Sequence, residues 1–303
     1  DLCSGCHQAG GIAPFPLTDS DEISERADLI GAAVQAGVMP PWPPGGRSPA
    51  YAGEAERKLT ARERAAIVSW ADAGGRVDGE AHEPTPERDV QVRRGETLLR
   101  LRMEAAYHPQ ARAGATDDYR CFLVDPQLAR DSFGTSVRIE PGQPKVVHHV
   151  ILFRVDPDQV AEAEGLDADA PGQGWECFGD TGLSLDPSED SLDDADWVAA
   201  WAPGWGGGRL PEGTGVPLEA GSRLVMQVHY NLLNGRAPDR SEALVTVVPF
   251  SAKLEPLKTM LLPAPVELPC ADGESGPLCD RDAALQELAR KYGPEAAFVP
   301  TGL

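Results

Sequence analysis

The chain has 303 residues, 41% of them hydrophobic, with 48 Asp and Glu against 27 Lys and Arg and a formal net charge of −21. That length suffices for two domains with separate cores. The charge argues against nucleic-acid binding, which needs a basic patch to replace phosphate counterions, and no run of about 18 apolar residues is present to span a membrane.

In chain order the first signal is Cys3-Ser4-Gly5-Cys6-His7, the C-x-x-C-H pattern of covalent haem attachment. Both thiols add across the haem vinyl groups, and the adjacent histidine ligates iron from the same side. Zinc would need two further ligands at similar spacing, and none follows. Over residues 21–36, Ile23, Ala27, Ile30 and Val34 fall at helical spacing, with Gly37 as the stop. Thr60-Ala61-Arg62-Glu63 is a capping box opening a second helix, with Ala66, Ile67 and Trp70 on one face and Gly74-Gly75 closing it. Between them the proline-rich run Met39-Pro40-Pro41-Trp42-Pro43-Pro44 excludes helix and offers Met39 as a sixth iron ligand. With Gly10 to Leu17 and Met39 to Trp42, residues 1–79 resemble class I cytochromes c. The resemblance implies a small all-α haem c domain, covalently held by Cys3 and Cys6 and ligated axially by His7 and Met39, methionine raising the potential above that of a bis-histidine haem. The helix that normally precedes the haem motif is missing, and a chain that opens directly on this motif reads as a processed or excised segment.

Residues 80–94 read as a polar linker. Beyond them the pattern changes to strands over 97–102, 119–124, 136–140, 145–155, 223–232 and 243–250, the last two joined by Asn234-Gly235, a hairpin signal. Such strands predict an all-β antiparallel sandwich, jelly-roll-like, over 95–262. Between Val155 and Gly208 the chain is strongly acidic and lacks lysine and arginine, which reads first as a solvated loop. A calcium site or a docking surface for a basic partner are the alternatives, the former weakened by the lack of an Asp-x-Asp-x-Asp-Gly spacing. Trp175, Trp197, Trp201 and Trp205 in this stretch are expected to pack on the sheet. Residues 263–303 read as a disulfide-pinned extension with a short helix near 282–291. The four later cysteines suggest two disulfides and an oxidising compartment, periplasmic or extracellular. Three connectivities are possible; Cys121–Cys177 with Cys270–Cys279 is the expected one.

Of six histidines, His82 and His108 are expected in solvent. His148, His149 and His229 lie instead in the most apolar strands. Successive strand side chains point to opposite faces, so His148 and His149 can serve one ion only if the strand twists or bulges there. Imidazole suits copper, zinc and iron alike. The runs His-His-Val-Ile-Leu-Phe at 148–153 and Leu-Val-Met-Gln-Val-His-Tyr-Asn at 224–231, with Asp118-Tyr119-Arg120-Cys121 before them and Leu210 to Val216 between, resemble the copper type II, ascorbate-dependent monooxygenases. The resemblance covers roughly residues 95–262. It implies an electron-transferring copper on His148, His149 and His229, and its conserved disulfide agrees with Cys121–Cys177. The family's oxygen-binding copper, on a His-x-His pair and a methionine in a second domain, has no counterpart, since no histidine follows His229. No catalytic residue is therefore assigned within these residues, and the segment alone is expected to be inactive, the extension leading toward a missing second copper domain.

The combined expectation is a copper monooxygenase that hydroxylates a C–H bond with O2, of which this chain holds a haem c electron-input domain and the electron-transfer copper domain. The haem would reduce the copper, replacing or supplementing ascorbate as external reductant. Expected partners are an electron donor, either a redox protein or ascorbate, with O2 and an organic substrate for the complete polypeptide, and no nucleic acid. The alternative is a secreted haem and copper electron-transfer protein without oxygen chemistry.

Overall fold

The computed structural model describes residues 2–8, 13–41, 54, 57–78, 90–112, 114–169, 172–184, 195–203, 207–259, 270, 273–276 and 279–292. The chain forms two compact units, residues 1–87 with 203–205, and residues 88–202 with 206–303.

The first unit contains α1 (Ser20–Glu25), α2 (Ala27–Gln35) and α3 (Ala61–Asp72). The single helix expected over 21–36 is thus two. Asp19 caps α1 by accepting from the amides of Asp21 and Glu22 at 2.9 and 3.0 Å, and Arg26, at φ −110° and ψ 15°, breaks the helix before α2 restarts. The break lies against the turn after α3: a Cβ on Gly75 would fall 2.0 Å from the Ala27 Cβ, and Gly75 has a φ of +64° that favours glycine. Where α2 meets α3 the backbones also approach closely, since a Cβ on Gly31 would sit 2.6 Å from that of Ala71. Ala71 is accordingly buried, whereas Ala66, expected on the packing face, is exposed and Ile67 and Trp70 are half-buried. The capping box forms as read, with the Thr60 amide donating to Glu63 Oε2 at 2.8 Å and the Glu63 amide donating to Thr60 Oγ1 at 3.2 Å.

The second unit is a two-sheet β-sandwich. Its elements are β1 (Thr97–Arg102), β2 (Asp117–Val124), β3 (Ser132–Glu140), β4 (Val147–Val155), α4 (Val160–Ala168), β5 (Trp175–Glu176), β6 (Asp196–Trp201), β7 (Gly207–Arg209), β8 (Thr214–Leu218), β9 (Arg223–Asn231), β10 (Glu242–Pro249), β11 (Glu255–Pro256) and α5 (Arg281–Tyr292). One sheet runs β1-β10-β3-β8-β11 with β7 also on β3; the other runs β5-β2-β9-β4-β6. Pairings are antiparallel except β8 with β11. Alternate residues of β9 and β4 (Leu224, Met226, Val228, Tyr230; Val150, Leu152) enter the core between the sheets. The other face of the same sheet is also covered: Ile151, Phe153, Val155 and Val225 pack with Ala163 of α4, Trp175 and the cystine Cys121–Cys177. Burial on both faces is why these strands read as continuous apolar runs.

Three expectations change. Asn234-Gly235 does not close a hairpin, because β9 and β10 lie in different sheets. Leu232–Asn234 is a 3-10 turn, capped by the Asn231 side chain accepting from the Leu233 amide, and Asp239 is then held against Tyr107 by paired backbone hydrogen bonds of 2.8 and 2.9 Å. Second, the acidic stretch is not one solvated loop: α4, β5 and β6 lie within it, and its apolar residues Ala163, Trp175, Val198 and Trp201 are buried, while Asp158, Glu162, Glu164, Asp169 and Glu176 are exposed. Trp197 is half-buried; Trp205 lies outside the described residues. Third, β5, β6, β7, β8 and β11 are strands not read in the sequence, all but β6 no longer than five residues. Both disulfides form, Cys121–Cys177 and Cys270–Cys279, with Cα separations of 6.0 and 5.7 Å. The short terminal helix is α5. His108 is exposed, and His82 lies outside the described residues, as does most of the linker.

Candidate metal centre

The register of β4 against β9 answers how adjacent histidines share a face. Val147 pairs with Tyr230, yet the next pair is His149 with His229, so β4 carries one extra residue, His148, in a bulge. Val147 and Val150 both point into the inter-sheet core. Between them the extra residue lets His148 and His149 both emerge on the other face, where His229 also lies. The three histidines each bring a ring nitrogen within 4.8 Å of the others. Nδ1 of His149 stands 3.2 Å from Nδ1 of His148 and 3.3 Å from Nδ1 of His229. Two nitrogens each about 2.0 Å from one ion at a tetrahedral angle are about 3.3 Å apart, so the spacing fits a shared imidazole-ligated metal.

Exposure grades across the cluster: His148 is exposed, His149 half-buried and His229 buried. Burial pushes His149 down to about 4, with the neighbouring imidazoles adding to the shift. Burial likewise pushes His229 down to about 4, against an opposing contribution from Asp117. Both rings are therefore neutral near pH 7, the state in which an imidazole nitrogen can ligate a metal.

His229 is fixed on its far side by β2. Tyr119 pairs with His229 and Asp117 with Asn231, placing all four side chains on one face. The Tyr119 ring lies parallel to the His229 ring, 4.1 Å between centroids and 6° between planes. His229 Nε2 lies 2.8 Å from Asp117 Oδ1, which also accepts from Asn231 Nδ2 at 3.1 Å, while Thr116 Oγ1 donates to Asp117 Oδ2 at 2.6 Å. Burial opposes ionisation of Asp117, but those hydrogen bonds hold its carboxyl below the usual value. Asp117 and Asn231 were not singled out in the sequence. Their role depends on the pairing of β2 with β9, more than a hundred residues apart, for which local pattern carries no signal.

In the first unit Cys3, Cys6 and His7 share one turn, the amides of Cys6 and His7 both donating to the Cys3 carbonyl. Both cysteines are free thiols. His7 Nδ1 donates to the Phe15 carbonyl at 2.9 Å, leaving Nε2 for a ligand. Met39 follows α2 and is 40% exposed. Cys3, Cys6 and His7 therefore lie together, and Met39 is placed after α2.

Residues 113–237 match the family model of the copper type II ascorbate-dependent monooxygenase N-terminal domain. A search of curated proteins finds no match. The matched span contains the three histidines, the residues that orient His229, and the Cys121–Cys177 disulfide.

Proposed function

We propose that the β-sandwich binds one copper ion through His148, His149 and His229 and serves as the electron-transfer half of a copper monooxygenase. The observation that carries this reading is the bulge in β4, which gathers three imidazoles on one face with His148 as the exposed member. Copper bound there supplies one-electron exchange between cuprous and cupric states. The protein's own part is to hold His149 and His229 unprotonated and to fix the His229 ring between Tyr119 and the cluster.

The first unit is proposed as a haem c domain, with Cys3 and Cys6 as the covalent anchors and His7 and Met39 as axial ligands. The free thiols and the Nδ1 hydrogen bond that leaves His7 Nε2 available support it. Haem bound there supplies a second one-electron centre. The two disulfides suit an oxidising compartment, periplasmic or extracellular, and a redox protein or ascorbate is the proposed donor.

This proposal concerns the electron-transfer copper alone and assigns no oxygen-binding residue. The second reading is a haem and copper electron-transfer protein without oxygen chemistry. Copper titration of the metal-free protein tests the shared core of both: one copper per chain is expected, with a nitrogen-coordinated cupric EPR signal that His229→Ala abolishes. Substoichiometric binding, or an unchanged signal in the variant, refutes the site. O2 consumption coupled to substrate hydroxylation then separates the two readings.

A further inference from the structure

Asp117 has no ligand position in the cluster, yet it is tied into the site by three hydrogen bonds. Its side chain and that of His229 are 9% and 8% exposed, so their contact is shielded from water. A carboxylate only accepts, so the 2.8 Å contact to His229 Nε2 requires the proton to sit on Nε2. Nδ1 is then a bare lone pair, and Nδ1 is the atom 3.3 Å from Nδ1 of His149. The carboxylate is itself prevented from swinging away, since Asn231 holds Oδ1 and Thr116 holds Oδ2. Tyr119 fixes the ring plane, but a stacked phenol does not choose between the two nitrogens.

We propose that Asp117 is the positioning residue of the metal centre: it selects the His229 tautomer that faces the cluster and, by adding a buried negative charge one ring away, favours the cupric over the cuprous ion. This rests on the copper reading above. The charge argument is electrostatic: an anion near the site stabilises a dication more than a monocation, and groups of this kind tune ligand basicity and metal affinity.

Two measurements test it, the first independent of copper. Nitrogen-15 NMR of the metal-free protein should show His229 protonated at Nε2 and bare at Nδ1; the opposite tautomer overturns the proposal even if copper binds. Second, Asp117→Asn keeps an acceptor and the side-chain shape but removes the charge. Cupric affinity should fall about 10–100-fold with cuprous affinity little changed, raising the midpoint potential by about 60–120 mV. Equal loss of both oxidation states, or an unchanged potential in a folded variant, overturns the charge role. Failure of the wild-type protein to bind copper would instead sink the proposed function, while leaving the tautomer result standing.

Discussion

His148→Ala and His229→Ala should both destroy the metal centre, but only the second should weaken the metal-free fold. His148 is exposed and sits in a bulge whose backbone does not need the imidazole, so with a chelator present its removal should change stability by no more than about 0.5 kcal/mol. His229 is buried, and its loss strips Asp117 of a charge-assisted donor at 2.8 Å, worth about 1.5–3 kcal/mol. It also removes the ring stacked at 4.1 Å on Tyr119, worth about 0.5–1.5 kcal/mol. The expected cost is about 2–4 kcal/mol, a large part of the 5–15 kcal/mol typical of a domain. Urea unfolding followed by tryptophan fluorescence measures this, since Trp175 and Trp201 are buried in the sandwich. Copper competition titrations on the same samples should show at least a hundredfold loss of affinity in both variants, because changes to residues behind the ligands alone cost 10–100-fold. Equal destabilisation by the two substitutions, or near-native copper affinity in His148→Ala, would refute the reasoning.

Glu96 accepts two bonds from Arg209, at 2.6 and 2.9 Å, one from Thr135 and one from the Arg93 amide, and its carboxyl is held down at about 2, the Arg209 bond being the main cause. A depressed carboxyl contributes stability above about pH 4.5 that is lost as pH falls toward 2. The shift alone corresponds to about 3 kcal/mol, which screening around the partly exposed pair reduces to about 1–2 kcal/mol. Wild type should therefore exceed Glu96→Gln in stability at pH 6, with the gap closing by pH 2.5; a gap independent of pH refutes this. Phe153 is fully buried in the cluster that includes Ala163 of α4, edge-on to Trp197 at 5.5 Å, so Phe153→Ala should cost about 3–5 kcal/mol in chemical denaturation, and a loss under 1 kcal/mol would mean that the outer cluster contributes little. In haem-loaded protein Met39→Ala should change the optical spectrum and lower the midpoint potential; an unchanged spectrum and potential exclude Met39 as a ligand.

The parts of this fold legible in the sequence are those written locally. The capping box at Thr60 and Glu63 needs only four consecutive residues, and the long apolar strands β4 and β9 announce themselves because both of their faces are buried. Short strands such as β5 and β7, of two and three residues, carry too few alternations to register. The Asn234-Gly235 signal misled because turn chemistry describes how a chain reverses, not which sheet receives it. The acidic stretch misled in a different way: its charged residues dominate the composition, while the fewer apolar residues that fold it are spread among them.

The metal centre divides along the same line. Three histidines in two apolar strands could be picked out one by one, and a side-by-side pair on a strand already implied a break in alternation. Which kind of break occurs is decided by tertiary packing: Val147 and Val150 both have to enter the core, and two residues lie between them where regular alternation would fit an odd number. The bulge satisfies both valines and sends both histidines outward, so the apolar core sets the geometry before any metal is bound. Asp117 takes its place by the same non-local route, through the pairing of β2 with β9. A site assembled this way is preorganised by the sandwich: the bulge and the pairing of β4 with β9 set the ring positions, and His148 is the exposed member of the cluster.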